Sequence, residues 1–306
     1  MIVAKSAKFL GLARYIGRPI LFLFAYDVAV AVAYVFGGWR WMAHPEIPLS
    51  IFGGVIGVLA GFRNTSAYAR WWEARIIWGS IVNNSRSFGR EVLTMITATG
   101  SGEETDRELC EIKRRLVLLQ VAHVHALRNH LRGLQPWEEL NGVIPEEEME
   151  HLKTQKNVPL AIQQKMAALL AYCYQKGWID NMRWASLDRT LGTLMDGQGA
   201  AERIKNTPMP RQYDMFISRF ISIYCLLLPL GMVSSLRLLT PIGSTFVGFI
   251  FLALDKIGRD LETPFENLPN DISLTAITRN IEINLKQMLG EKDIPEPLAP
   301  VDGILW

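Results

Sequence analysis

Between residues 215 and 254 the only charged side chains are Arg219 and Arg237, and a stretch this long and this apolar has no place on the surface of a protein in water. It divides at Arg237-Leu238 into 215–236 and 239–254, joined by a linker too short for anything but a hairpin of two helices. A bilayer core about 30 Å thick takes roughly 20 helical residues to cross. Two further apolar stretches lie upstream. Residues 19–36 open on Pro19, suited to a first helical turn, and close on Gly37-Gly38, and residues 47–62 follow after a short connection. The second and fourth stretches are short for independent spans, so they are expected to rest on neighbouring protein. With 49% hydrophobic residues, 20% charged and a mean hydropathy of +0.14, the chain is too apolar for an ordinary soluble domain and too charged to lie wholly in lipid. An all-α integral membrane protein with four transmembrane helices and a large aqueous part is implied.

The charges orient it. The segment 1–18 carries Lys5, Lys8, Arg14 and Arg18 and has no small-residue cleavage site after a short apolar core, so it is not read as a signal peptide. Placed inside, it leaves Arg40 and Arg237 as the only arginine or lysine in the two outer loops and keeps most basic residues within 63–214, as the positive-inside rule asks. The expected organisation is a cytosolic segment 1–18, spans in 19–62, a cytosolic helical region 63–214, spans in 215–254 and a cytosolic segment 255–306. The expected location is the cell inner membrane, multi-pass, with both termini cytoplasmic.

In the cytosolic region Tyr68, Trp71, Trp72, Ile76, Trp78 and Ile81 recur at helical spacing and predict a helix over 63–93 that continues directly from the second span. Further helices are predicted over 108–131, 159–176 and 179–194, with loop or short helix over 133–157 around Pro136, Pro145 and Glu146-Glu147-Glu148. The run DGQGAAER from Asp196 to Arg203 follows no strand and lacks the Lys-Ser/Thr ending of a phosphate loop, so it is read as a helix break leading to Pro208 and Pro210. Residues 255–289 read as helical except at Thr263-Pro264 and Pro269. No strand is predicted.

Several chemistries are excluded. Lysine and arginine total 32 against 30 acidic residues, a net charge of +2 without the basic excess of a nucleic-acid binder. Cys110, Cys173 and Cys225 are odd in number and far apart, which supports neither a disulfide framework nor a zinc site. No serine, cysteine or histidine stands in a nucleophile context, so neither an enzyme nor a cofactor is expected. His123 and His125 lie two apart on a helix and face different ways, as core or interface histidines do. Asp27 and Arg219 each interrupt an apolar span, where an unpaired charge is costly; they are expected to form a structural pair, with each other among the choices, or a cap, with a place on an ion path as the alternative.

The second span carries two stripes. Gly53, Gly57 and Gly61 form a small-residue stripe of the kind along which membrane helices approach closely. About 100° around the helix, Gly54, Val58 and Phe62 form another, suited either to lining a central axis or to buried packing.

The residues that follow carry a resemblance. Gly61-Phe62-Arg63-Asn64-Thr65-Ser66-Ala67-Tyr68-Ala69-Arg70-Trp71-Trp72-Glu73-Ala74-Arg75, then Trp78-Gly79, resembles the second-span signature of bestrophins, above all the bacterial branch. Leu254-Asp255 through Glu262-Thr263-Pro264-Phe265, then Pro269-Asn270-Asp271-Ile272-Ser273-Leu274, resembles the segment after their fourth span. Further similarity at Glu202-Arg203-Ile204, Thr207-Pro208-Met209-Pro210 and Ile281-Glu282-Ile283 extends it over nearly the whole chain. The resemblance implies a homopentamer around a central pore, with partners limited to its own copies, membrane lipid and monovalent ions. It implies a pore neck at Gly54, Val58 and Phe62 and a cytosolic aperture near Ala185. Gly54 and Ala185 are smaller than the bulky residues usual at those levels. Animal members bind activating calcium with a run of carboxylates; here Glu262, Glu266 and Asp271 are scattered, and Asp271 and Glu262 are expected to act as helix caps or intersubunit contacts. Passive anion conduction, chloride by family default, is the expected function, with a sodium-conducting channel and a non-conducting scaffold or sensor as alternatives.

Overall fold

The structure is a computed structural model that describes Met1, residues 15–98 and residues 102–306. Lys5, Lys8 and Arg14 of the basic N-terminal segment lie outside the described residues. Ten helices are described: α1 (Arg18–Val35), α2 (Leu49–Met95), α3 (Glu103–Arg132), α4 (Trp137–Leu140), α5 (Glu146–Lys153), α6 (Val158–Gln175), α7 (Asn181–Asn206), α8 (Arg211–Leu236), α9 (Thr240–Glu262) and α10 (Leu274–Met288). Among the described residues there is no strand, only isolated bridges at Asn141/Ile144 and Val301/Ile304. The all-α expectation holds.

Local chemistry sets the helix ends. α3 opens on Glu103, Glu104 and Asp106 and closes on His130 and Arg132, each charge placed where the helix dipole favours it, and Gly133 then takes the left-handed conformation that ends it. Asn157 caps α6 by accepting the Leu160 N–H, and Asp180 caps α7 by accepting the Met182 and Arg183 N–H groups. α2 runs unbroken for 47 residues, as the aromatic spacing predicts.

Two expectations fail. Residues 263–273 form one continuous non-helical connection, where helix interrupted only at Thr263-Pro264 and Pro269 was expected. α7 continues straight through Asp196–Arg203 to Asn206, so the run DGQGAAER is helix interior and the break comes only before Pro208. Two glycines in a helix cost about 1 kcal/mol each against alanine, which is too little to stop a helix that buries Leu187, Leu191, Leu194, Ala201 and Ile204. Gly197 also has a packing use, because a Cβ there would lie 2.9 Å from Ile81 Cγ1 of α2.

The chain forms two compact units, parting at Trp71/Trp72, Thr207/Pro208 and Thr263/Pro264. In the unit built from Trp72–Thr207 and Pro264–Trp306, α3 is the central helix: from Leu116 to Asn129 every side chain is buried, and α6 and α10 pack along it. The other unit gathers α1, α8, α9 and the beginning of α2 around Leu23, Ile56, Ala60, Ile217, Ile221, Cys225 and Leu228. Large apolar side chains also stand on its exterior. Leu21, Phe22, Phe216, Ile242 and Phe246 are all more than half exposed, an arrangement unfavourable in water and ordinary against hydrocarbon. Two described stretches are long and apolar enough to cross a membrane, Arg18–Val35 and Asp214–Glu262, the latter being the α8–α9 hairpin.

Candidate functional site

The candidate site is the first half of α2 and what surrounds it. At 100° per residue, Ile56, Ala60, Arg63 and Ala67 fall on one face, and all four are buried. Gly54, Val58 and Phe62 fall on the opposite side, with Val58 59% and Phe62 62% exposed, and a Cβ at Gly54 would meet nothing within 4 Å. The described residues leave this face bare. One turn on, the Thr65 and Ser66 hydroxyls turn back and donate to the carbonyls of Gly61 and Phe62 at 3.0 Å each. The glycine stripe divides. Gly53 packs inside the chain, where a Cβ would lie 2.5 Å from the Tyr224 hydroxyl, whereas at Gly57 and Gly61 no described group beyond the helix's own backbone comes within 4 Å of that position. Ala185, in the other unit, is exposed in the first turns of α7 beyond the Asp180 cap.

Asp27 and Arg219 do not pair. Asp27 is fully buried and turned toward α9, where the Thr245 hydroxyl donates to its Oδ2 at 2.8 Å; Arg219 is exposed on the outer side of α8 between Phe216 and Phe220. Hydroxyls one helix away supply a partner to Asp27 without drawing in a long cationic side chain. The buried cation of this unit that finds acids on two helices is Arg63. Its Nη1 donates to Asp255 Oδ1 of α9 at 2.6 Å and its Nη2 stands 2.5 Å from Asp214 Oδ1 of α8. Sequence reasoning quoted Arg63 within a motif and missed its role, although its place on the buried 56–60–63–67 stripe was the available signal.

The three scattered carboxylates are each engaged locally. Glu262 accepts the Met209 N–H at 3.3 Å, Glu266 pairs with Lys205 at 2.5 Å, and Asp271 accepts the Leu268 N–H at 3.0 Å as a turn cap. Among the described residues no three His, Cys, Asp or Glu side chains come together in a way that could hold a metal ion. His123 and His125 point to different helices, His123 to Gln163 of α6 and Gln198 of α7, His125 to Glu282 of α10 at 3.2 Å.

Two buried groups in this unit set opposite pH dependences. Burial holds His123 down to about 4, so it is neutral in the fold and must be protonated in the unfolded chain as pH falls below its usual 6.5. Its contribution is present above 6.5 and lost as pH falls toward 4. Burial lifts Asp271 to about 6, against the Leu268 and Glu266 backbone N–H groups that favour its charge. Its contribution is present below the ordinary carboxylate value and lost as pH rises through 6. The two windows overlap and the two slopes oppose, while Glu282, pushed up by burial but held to about 2 by His125 and Lys286, adds a smaller loss of stability that begins only toward pH 4, where the unfolded chain's carboxylate takes up its proton. Thermal unfolding of the detergent-solubilised protein is therefore expected to vary little between pH 4 and 6. Asp271→Asn should make stability fall with acid by on the order of 2 kcal/mol across that range, and His123→Gln should make it rise by a similar amount. A parallel response of the two variants would rule out this assignment.

Residues 11–287 match the family described as Bacterial/Fungal Bestrophin protein. The chain belongs to the bestrophin family. A voltage-dependent anion channel-forming protein of Ralstonia nicotianae is 32% identical over 252 residues, 82% of this chain and 80% of that one. The voltage-dependent anion channel-forming protein YneE of Escherichia coli K12 is 33% identical over 265 residues, 85% of this chain and 84% of its own. Among solved structures, a bacterial Bestrophin homolog from Klebsiella pneumoniae superposes with a TM-score of 0.82 at 27% identity, covering 90% of this chain and 98% of that one. This bestrophin is thus a membrane protein, and the resemblance seen in the span-two and post-span-four motifs is that of a true relative.

Proposed function

We propose that this bestrophin is the subunit of a homopentameric channel that conducts monovalent anions, chloride among them, passively across the inner membrane. The observation that carries the reading is the bare apolar face of α2: Gly54, Val58 and Phe62 stand on a helix whose opposite face is buried, and among the described residues nothing covers them. Five such faces around an axis make a short dry neck, and an apolar ring passes an ion only when it is wide enough to leave part of the hydration shell in place. Ala185 is the aperture residue on the cytosolic side. In this arrangement the membrane spans lie within 19–62 and 215–254, the regions 63–214 and 255–306 are cytosolic with both termini, and the lipid-facing surface is the exposed apolar exterior of α1, α8 and α9. Anion preference is supported by the names of the relatives from Ralstonia and Escherichia.

Purified protein in liposomes tests the reading. Flux without any added substrate is expected, with a reversal potential under asymmetric salt that follows the chloride gradient. A potential that follows sodium or potassium would assign cation conduction instead, and absence of flux under all three gradients would leave a scaffold or sensor. Micromolar calcium is expected to leave flux unchanged, because Glu266 and Asp271 are already committed to Lys205 and the Leu268 N–H, and Glu262 to the Met209 N–H. Flux traces with calcium and with chelator should superimpose; activation by calcium would show that these carboxylates open to a metal.

A further inference from the structure

We propose that Arg63 is a positioning residue for the neck: its guanidinium, forked between Asp214 of α8 and Asp255 of α9, fixes the rotation of α2 directly beneath Phe62. The proposal rests on the reading of Gly54, Val58 and Phe62 as the neck. Arg63 is 1% exposed, and Asp255, also buried, accepts the Ser218 hydroxyl at 2.7 Å while its second oxygen lies 2.7 Å from Arg259 Nη2. Two arginines and two aspartates balance in charge. The contact continues along the same two helices, with the Asn64 carboxamide donating to the Leu254 carbonyl at 3.1 Å and Arg70 Nε donating to the Glu262 carbonyl at 2.8 Å. α9 makes room for it at Gly258, where a Cβ would collide with Asn64.

Above Arg63 the buried face of α2 consists of Ile56 and Ala60, whose apolar contacts have no preferred direction and allow a helix to turn by some degrees. A planar guanidinium between carboxylates on two different helices does not allow it. Phe62 precedes Arg63 by one residue, so it is carried on the same turn. A rotation of about 20° at a helix radius of about 5 Å moves the ring by about 2 Å, repeated from every subunit around an axis. A buried ion cluster of this kind is a poor source of stability compared with apolar packing of equal volume. Its definite gain is geometry.

The test separates geometry from stability. In Arg63→Met with Asp255→Leu the buried charges are removed together, while Asp214 and Arg259, both partly exposed, remain in contact with water. The assembled protein is expected to form with a melting temperature near that of the wild type, and single-channel recordings are expected to spread over several levels differing by about twofold or more. One level at the wild-type conductance would overturn the proposal. If the double variant does not assemble, Arg63→Lys, which keeps the charge and loses the fork, is judged by the same two outcomes. Phe62→Ala in the wild-type background keeps the two readings apart: if it changes conductance while the clamp variants do not, the neck stands and the clamp falls, and if it changes nothing, the neck reading falls and the clamp goes with it.

Discussion

Phe62→Ala is expected to raise single-channel conductance severalfold, Val58→Ala to raise it less, and Gly54→Ile to lower it. A side chain on a symmetry axis is presented once by every subunit, so a methyl group added or removed changes the aperture from all sides at once. On the proposed reading, glycine at the outer level reduces the dry part of the neck to Val58 and Phe62, and the dewetting barrier depends on the length and width of that part. Phe62, the larger of the two, carries most of it. The structure adds a condition that spacing alone lacked: among the described residues a Cβ at Gly54 meets nothing within 4 Å beyond its own helix, so the subunit is expected to accommodate Gly54→Ile, with any effect arising in the assembly or in the proposed pore. Recording each variant beside a measurement of its size distinguishes these. Unchanged conductance in intact Val58→Ala and Phe62→Ala assemblies would show that the stripe packs against a neighbour. Ala185 variants are expected to change ion preference more than gating, since that level lacks the apolar bulk of a barrier.

What could be read from the sequence follows from how local each feature is. The 47-residue α2 was legible because Tyr68, Trp71, Ile76 and Trp78 mark one helix without help from distant residues. The family was legible because its two longest motifs are contiguous. The end of α7 was misplaced because Gly197 and Gly199 read as breakers, and what overrides them is the burial of Leu194, Ala201 and Ile204 in contacts the sequence does not display. Asp27 and Arg219 looked like natural partners for the same reason: each lacked a visible neighbour, and the hydroxyl of Thr245, 218 positions away, could not be seen. Arg63 and Asp255 are 192 positions apart, and only a fold joins them. The candidate site divides in the same way. Which residues share a face of α2 is periodicity, and which face the chain leaves uncovered is tertiary structure.

Gly57→Leu is expected to give a folded subunit that no longer assembles, because two glycines four residues apart have different surroundings. At Gly53 a Cβ would stand 2.5 Å from the Tyr224 hydroxyl, and Tyr224 is held by the Leu49 carbonyl and an edge-on contact with Phe251. Gly53→Leu should therefore damage the subunit itself. At Gly57 the same Cβ would meet nothing, and replacing a helix-interior glycine by leucine favours the helix by about 0.8 kcal/mol. The subunit gains nothing by keeping glycine there. What glycine does offer is close approach by another helix, and in lipid, where apolar side chains gain little by leaving hydrocarbon, such approach is the main source of helix association. A leucine side chain on each copy of the approach would push the helices apart along their whole contact. Mass photometry in detergent should then show a pentamer for the wild type and monomers for Gly57→Leu at unchanged helical content, whereas Gly53→Leu should lose helical content as well. A monodisperse wild-type monomer would remove the basis for the neck, because a face of α2 that never meets its own copies cannot enclose a pore.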